Sequence, residues 1–569
     1  MPAKDNMLIG EMLAEEGLIT HEQLEQCLKE KNKSGKFICQ IVADLGFAPE
    51  DKVFTVLSKQ LHIPCVKIKE RTIDKSILEK VPAKFAIHYK LMPIELKDDI
   101  LTIAVTDPLD VHTLDDVKLL LGCEVRACLA GEKDIIEAIK KYYGIGADTI
   151  ENIIAETEPS GRPDSAGTGA SDSEELVEDA SIIKFVNQII QQAFHDRATD
   201  IHIEPYEDEL KVRYRIDGVL YDAAIPPTIK HFQSAIISRI KIMSNLNIAE
   251  HRLPQDGRMK IKVGKEDLDL RVSILPTPYG ESVGIRLLSA KMLYSLEELG
   301  LSQFDLTILN EMIKKPHGII LVTGPTGSGK TTTLYACLSK INNRELKILT
   351  IEDPIEYHLK GITQIQIHPK IGLTFANGLR SMLRHDPDVM MVGEVRDIET
   401  AEIAIRVALT GHLVFSTLHT NDAAGAMTRL LDMGIEPYLV ASSVECVIAQ
   451  RLVRLICPKC KRPVKEKKAV LEELGIKDIP KDAEAFEGKG CESCKFTGYR
   501  GRTAIYEFLV LNEDIRQMVL NRNSADQIKK KAVALGMRTL RGDGIEKVFK
   551  GLTTVSEVVR VTPKEDLGI

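Results

Sequence analysis

GIILVTGPTGSGKTTTLY, Gly318 to Tyr335, decides how the rest of the 569-residue chain is read. Ile319 to Val322 is a short, wholly apolar run of the kind that forms a strand buried on both faces. It leads directly into Gly324, Pro325, Thr326, Gly327, Ser328, Gly329, Lys330, Thr331 and Thr332, and then into a helix-compatible stretch. GxxxxGK[ST] between a strand and a helix is a phosphate cradle. Its glycines let successive backbone N–H groups turn inward around phosphate oxygens at a helix N-terminus. Lys330 supplies a mobile positive charge for the β- and γ-phosphates, and the Thr331 hydroxyl can sit on Mg²⁺. A plain glycine-rich turn is the competing reading, and the complete motif with both flanks in place argues against it.

Working outward, Ile348 to Ile351 is a second apolar strand and ends in Glu352-Asp353-Pro354-Ile355-Glu356. A third, Val389 to Val392, ends in Gly393-Glu394. A parallel sheet gathers the groups at the C-terminal ends of neighbouring strands. Glu352, Asp353 and Glu394 are therefore candidate catalytic carboxylates, with Glu394 delivered toward Mg²⁺ and the attacking water. Solvated acids at strand ends are the bland alternative. In TGHLVFSTLHTND, His412 and His419 stand at the two ends of a fourth strand. A lone histidine is usually a satisfied polar residue, but two on one strand beside a phosphate site suggest γ-phosphate sensing.

Late in the chain, Cys457 and Cys460 form one CxxC pair and Cys491 and Cys494 another, thirty residues further on. Two such knuckles make a Cys₄ zinc site, the longer gap leaving room for a short helix. The other seven of the 11 cysteines are scattered singly, which suits a reducing compartment better than a disulfide framework. The net charge of -8 argues against a general nucleic-acid coat. The N-terminus MPAKDNMLIGEMLAEEG lacks the apolar core of a signal peptide, and no stretch has the ~18 uncharged apolar residues of a membrane span. A cytoplasmic protein of several domains is the expectation.

Residues 1–62 read as a helical repeat module with an offset of 29, in which Gly10, Gly17, Leu24 and Leu28 align with Cys39, Gly46, Val53 and Leu57. Residues 63–145 alternate strand-like and helix-like pieces, a small α/β domain. Residues 146–178 centre on PSGRPDSAGTGASDSEE, a flexible tether. Residues 179–289 open with a helix capped at Asp179 or Ser181 and continue as alternating strands, an α+β domain with an antiparallel sheet; Arg213 and Arg215 share one of its faces. A connector at 290–300 leads to the P-loop core at 301–450, a zinc subdomain at 451–505 and a helical C-terminus at 506–569.

The phosphate loop, IEDPIEY, LRSMLRHDPDVMMVGEVRD and ALTGHLVFSTLHTND, in this order and spacing, resemble the bacterial ATPases of type II secretion and type IV pilus assembly. The resemblance runs from Glu178 to the end, more loosely over the N-terminal module, and implies a multidomain α/β protein with a RecA-like ATPase core. It further implies a homo-hexameric, Mg²⁺-dependent motor in which the preceding sheet domain closes over ATP. That domain would hand over Arg271 in LRVSILP and Arg286 in GIRLL, with Arg380 and Arg384 as further partners. The family's zinc insert faces an inner-membrane platform protein, so the basic run CPKCKRPVKEKK is a candidate docking surface, with a solvated charged face as the alternative. Location would be cytoplasmic and peripheral at the inner membrane. The family's N-terminal repeats can bind cyclic diguanylate; here Leu8 replaces the pattern's arginine and Cys39 its second glycine, and a helical docking module is the favoured reading. KIGLTFANGLRSMLRHDPD, TNDAAGAMTRLLDMG and TGYRGRTAIYEFL stand nearer to the secretion branch than to pilus extension. A nucleic-acid motor and a nucleotide-binding scaffold without turnover are the rivals.

Overall fold

The computed structural model describes residues 3–34, 38–98, 100–108, 110, 114–115, 117–119, 122–144, 171–264, 266–288, 294–465 and 484–563. Most of the expected tether, 146–170, lies outside them. The chain divides into two compact units, Met1–Leu287 and Leu288–Ile569.

The first unit opens with four helices, Ala3–Glu15, His21–Ser34, Ile38–Asp44 and Glu50–Leu61. They pack Ile9, Leu13, Leu24, Val53 and Leu57 into one core. Gly10 is small for a reason, since a Cβ there would stand 2.3 Å from Leu24 Cδ1. Cys39, its repeat partner, is buried in the same core. A three-stranded sheet follows: β1 (Met92–Lys97) antiparallel to β2 (Ile100–Val105), and β2 parallel to β3 (Glu124–Leu129). The helix expected to start at Asp179 or Ser181 begins instead at Ser171 and runs to His195, so 171–178 is helix and not tether.

That helix packs on a six-stranded sheet ordered β6-β5-β4-β9-β8-β7. The strands are β4 (Ala198–Pro205), β5 (Leu210–Ile216), β6 (Val219–Asp222), β7 (Gln255–Val263), β8 (Glu266–Thr277) and β9 (Gly280–Leu288). β4 pairs antiparallel with β5 and β9, β5 with β6 and β7 with β8. The alternating pattern buries Ile201, Ile203, Val212, Leu270, Val272, Val283 and Ile285 under the helix.

The second unit is built on a seven-stranded sheet ordered β12-β11-β13-β14-β10-β15-β18. Its members are β10 (Gly318–Thr323), β11 (Ile348–Glu352), β12 (Thr363–Gln366), β13 (Val389–Val392), β14 (Leu413–Leu418), β15 (Val444–Ile456) and β18 (Tyr499–Val510). The first six run parallel, and β18 returns antiparallel along β15. β10, β11, β13 and β14 are buried along their whole length, as continuous apolar runs in a sheet covered on both faces require. Between β15 and β18 lies a ribbon of β16 (Lys461–Pro463) and β17 (Phe486–Gly488). The divisions expected at 450/451 and 505/506 fall inside β15 and β18, which are single strands; the sequence break there is one of chemistry, arginines and cysteines after apolar residues, and not of backbone. Four helices complete the C-terminus, Glu513–Leu520, Ala525–Ala534, Leu540–Phe549 and Val555–Val561. Among the described residues no helix is long and apolar enough to cross a membrane.

Candidate active site

Because β10, β14, β13 and β11 are parallel neighbours, their C-terminal ends gather at one edge of the sheet. At the end of β10 the phosphate loop turns through Gly324, Gly327 and Gly329, all with positive φ, into the helix Lys330–Ile341. Gly324 (φ 153°) admits no substituent, since a Cβ would lie 2.5 Å from the Gln450 carbonyl. Lys330 is buried, and its Nζ donates back into the loop, to the carbonyls of Gly324 (2.8 Å) and Pro325 (3.2 Å). Desolvation by burial, with the nearby Arg451 charge, pulls its ammonium down to about 8 against the opposing pull of Glu394. Thr331 follows in the first turn, half-buried.

Beyond β13, Glu394 is largely enclosed, its side chain 13% exposed. One carboxylate oxygen meets Arg396 Nη2 at 2.5 Å, the other His419 Nε2 at 3.4 Å. Arg396, whose pKa the Glu394 hydrogen bond raises, also feels the charge of exposed Asp353. Thr323 Oγ1 meets Thr420 Oγ1 at 2.7 Å and accepts from Thr420 N at 2.9 Å. Lys330, Glu394, His419 and Asp353 thus belong to one constellation, completed by Arg396, which the sequence reading passed over although GEVRD places it two residues from Glu394.

Two expected members stand elsewhere. Glu352, 3% exposed, turns its carboxylate into the sheet's flank, where it accepts from Tyr335 Oη, Thr350 Oγ1 (2.6 Å) and Gln364 Nε2 (3.1 Å). Strand alternation puts Glu352 on the Thr350 face, where its carboxylate is a buried acceptor. His412 precedes β14, and its carbonyl accepts from Gly318 N at 3.1 Å, at the beginning of β10. A whole strand therefore separates it from the phosphate loop, and its ring contacts Thr410 and the Val407 carbonyl.

The four arginines are held by other partners or lie in the first unit. Arg380 meets Glu399 at 2.7 Å, and Arg384 donates to the Arg380 carbonyl (3.0 Å) and Ser381 Oγ (3.1 Å). On the antiparallel sheet, Arg271 lies on β8 and Arg286 on β9, where it meets Asp200 at 2.8 Å. Arg213 pairs with Glu204 (2.6 Å), the solvated-pair alternative for that face.

The four sulfurs of Cys457, Cys460, Cys491 and Cys494 lie within 4.8 Å of one another. Cys457 and Cys491 approach to 3.8 Å, as do Cys460 and Cys494. Ligands about 2.3 Å from a tetrahedral Zn²⁺ stand about 3.8 Å apart, so the donor set fits zinc. Backbone N–H groups of Cys491 (3.2 Å) and Gly498 (3.3 Å) donate to Cys494 Sγ, the second layer a thiolate needs. Oxygen donors for Mg²⁺, a hard cation, are present in Thr331 and Glu394.

A phosphate loop on a parallel sheet, with an acid delivered by the next strand but one, defines a P-loop ATPase with a RecA-like core. The family model for Type II/IV secretion system proteins matches residues 175–560, and the MshEN domain model matches 61–149. The chain belongs to the Type II/IV secretion system protein family. The Type IV pilus assembly ATPase PilB of Myxococcus xanthus is 43% identical over 560 residues, 97% of this chain and 98% of that one. Type II secretion system protein E of Xanthomonas campestris is 41% identical over 563 residues, again 97% and 98% of the two chains. The X-ray structure of the ATPase DotB from Legionella pneumophila shares the fold, with a TM-score of 0.50 at 21% identity, over 66% of this chain and 95% of that one.

Proposed function

We propose that the protein is a homo-hexameric, Mg²⁺-dependent ATPase that drives assembly of a pilus-like fibre for type II protein secretion, working at the cytoplasmic side of an inner-membrane platform. The observation that carries the catalytic reading is the convergence of Lys330, Glu394 and His419 at the ends of adjacent parallel strands. Glu394 accepts the proton of the attacking water while Arg396 and His419 hold its carboxylate in place, and Lys330 bears on the β- and γ-phosphates. Mg²⁺, when bound near Thr331 and Glu394, neutralises charge on the phosphates. Arg271, Arg286, Arg380 and Arg384 supply further cations in a closed state; leaving an Asp200 or Glu399 partner to reach the phosphates makes closure a discrete step. The platform protein is the partner this reading gives the cysteine-rich subdomain; the N-terminal helices are read as a docking module, with cyclic diguanylate as the alternative ligand there.

Extension of a type IV pilus is a second reading, favoured by the 43% identity to PilB of Myxococcus xanthus over nearly the whole chain. Glu394→Gln in the native host separates the two. Loss of secreted enzymes with pili intact supports the secretion reading, and loss of pili with secretion intact replaces it with the second. Unchanged secretion and piliation sink both.

A further inference from the structure

Arg451 stands on β15 just past the point where that strand accompanies β10, the register pairing Thr323 with Ala449. Its guanidinium joins two pieces of the site. Nη2 donates to the Asn421 carbonyl (2.9 Å) and to Asn421 Oδ1 (3.3 Å), and Nη1 to the Gln450 carbonyl (3.3 Å). That carbonyl and Nη1 are two of the three groups a Cβ on Gly324 would strike, at 2.5 and 3.0 Å, with Ser328 Oγ at 2.7 Å the third, so the guanidinium packs on the first glycine of the phosphate loop. Gln450, 2% exposed, holds the helix that follows the loop, its Oε1 accepting from Thr333 Oγ1 at 2.7 Å. Asn421 follows His419 and Thr420, which touch Glu394 and Thr323. Its hydrogen-bond acceptors among the described residues are neutral, the charges of Asp422 and Glu507 acting on it from further off, and its own charge bears on Lys330. A planar fork with several donors can bind two backbone segments at once where an ammonium cannot.

We propose that Arg451 is a positioning residue for ATP hydrolysis, fixing the start of the phosphate loop against Asn421 so that the loop and the His419 segment hold one geometry. The inference rests on the ATPase reading of the site. It acts through the loop and not by touching nucleotide, so it belongs to turnover more than to affinity.

The test uses the full-length protein, with steady-state ATPase kinetics, calorimetric titration with ADP and thermal unfolding. Arg451→Gln and Asn421→Ala each lower kcat about tenfold with the Kd for ADP changed less than about threefold, and the double variant is no worse than the poorer single one. Arg451→Lys recovers only part of the loss, because one ammonium cannot span both carbonyls. Additive losses in the double variant overturn the proposal. So does a weakened Kd with kcat intact, which makes Arg451 a nucleotide ligand, or a lowered unfolding midpoint with normal kinetics, which reduces it to packing. If Arg451→Gln does not fold, Asn421→Ala alone must show the kcat loss at unchanged Kd, and wild-type kinetics there overturn the proposal. A wild-type protein with no more turnover than Lys330→Ala would instead refute the ATPase reading.

Discussion

The nucleotide end of the large sheet and the cysteine knuckles share β15 yet are assembled in opposite ways. Each CxxC pair is local, four residues folded into one turn, and only the meeting of the two turns is a long-range event. The nucleotide site draws on the ends of five strands far apart in sequence, and shifting any one strand re-aims a side chain. A metal can therefore repair small errors in the first region through coordination, whereas the second depends on buried hydrogen bonds already being right.

Removing the cysteine cluster's ligands should give the largest effect that separates the two regions. Structural zinc contributes roughly 10–16 kcal/mol to folding of such modules. Chelation, or Cys457→Ser, should therefore expose the segment between β15 and β18 to proteolysis while the phosphate loop still binds ADP; equal loss of both would show one cooperative unit. Next, Glu352→Gln puts an amide donor among three existing donors and should cost about 1–3 kcal/mol of stability with kcat reduced less than tenfold. Chemical denaturation and ATPase assays read the two separately, and a loss of turnover as deep as that of Glu394→Gln would return Glu352 to the catalytic set. The smallest effect is in protons. Lys330, held at about 8, is charged below that pH and increasingly neutral above it. Bound phosphate favours the charged form, so nucleotide binding should take up a fraction of a proton near pH 8.5 and almost none at pH 6.5. Calorimetry in buffers of different ionisation enthalpy measures this, and no uptake at pH 8.5 would remove Lys330 from that role.

Much of this was legible in the chain itself. Four apolar runs with Gly, Glu or His at their ends specify a parallel sheet and the edge at which its chemistry gathers, and the cysteine spacing specifies a metal. What the sequence left open is orientation. Glu352 and Asp353 are adjacent acids, and only the pleat decides that the first is buried while the second is exposed. His412 and His419 flank one strand, but parallel pairing leaves a single end at the phosphate loop. Arg451 sits in an apolar-rich run with no motif of its own, and its meaning comes from the register between β10 and β15. The C-terminus expected to be helical from Tyr506 starts with five residues of β18, Tyr506 to Val510, and only the pairing with β15 reveals them as strand.

β15 carries Arg451 at the phosphate loop and reaches Ile456, one residue before Cys457, paired with β18 apart from a register shift between Arg454 and Ile456. Arg454 locks this stretch further, against the Tyr499 ring at 4.0 Å and Glu557 at 2.8 Å. At about 3.3 Å per residue, Arg451 and Cys457 are ends of an arm about 20 Å long, and a tilt of about 5° at one end moves the other by about 2 Å. A tilt of these strands at the phosphate loop would thus be read out at the cysteine knuckle.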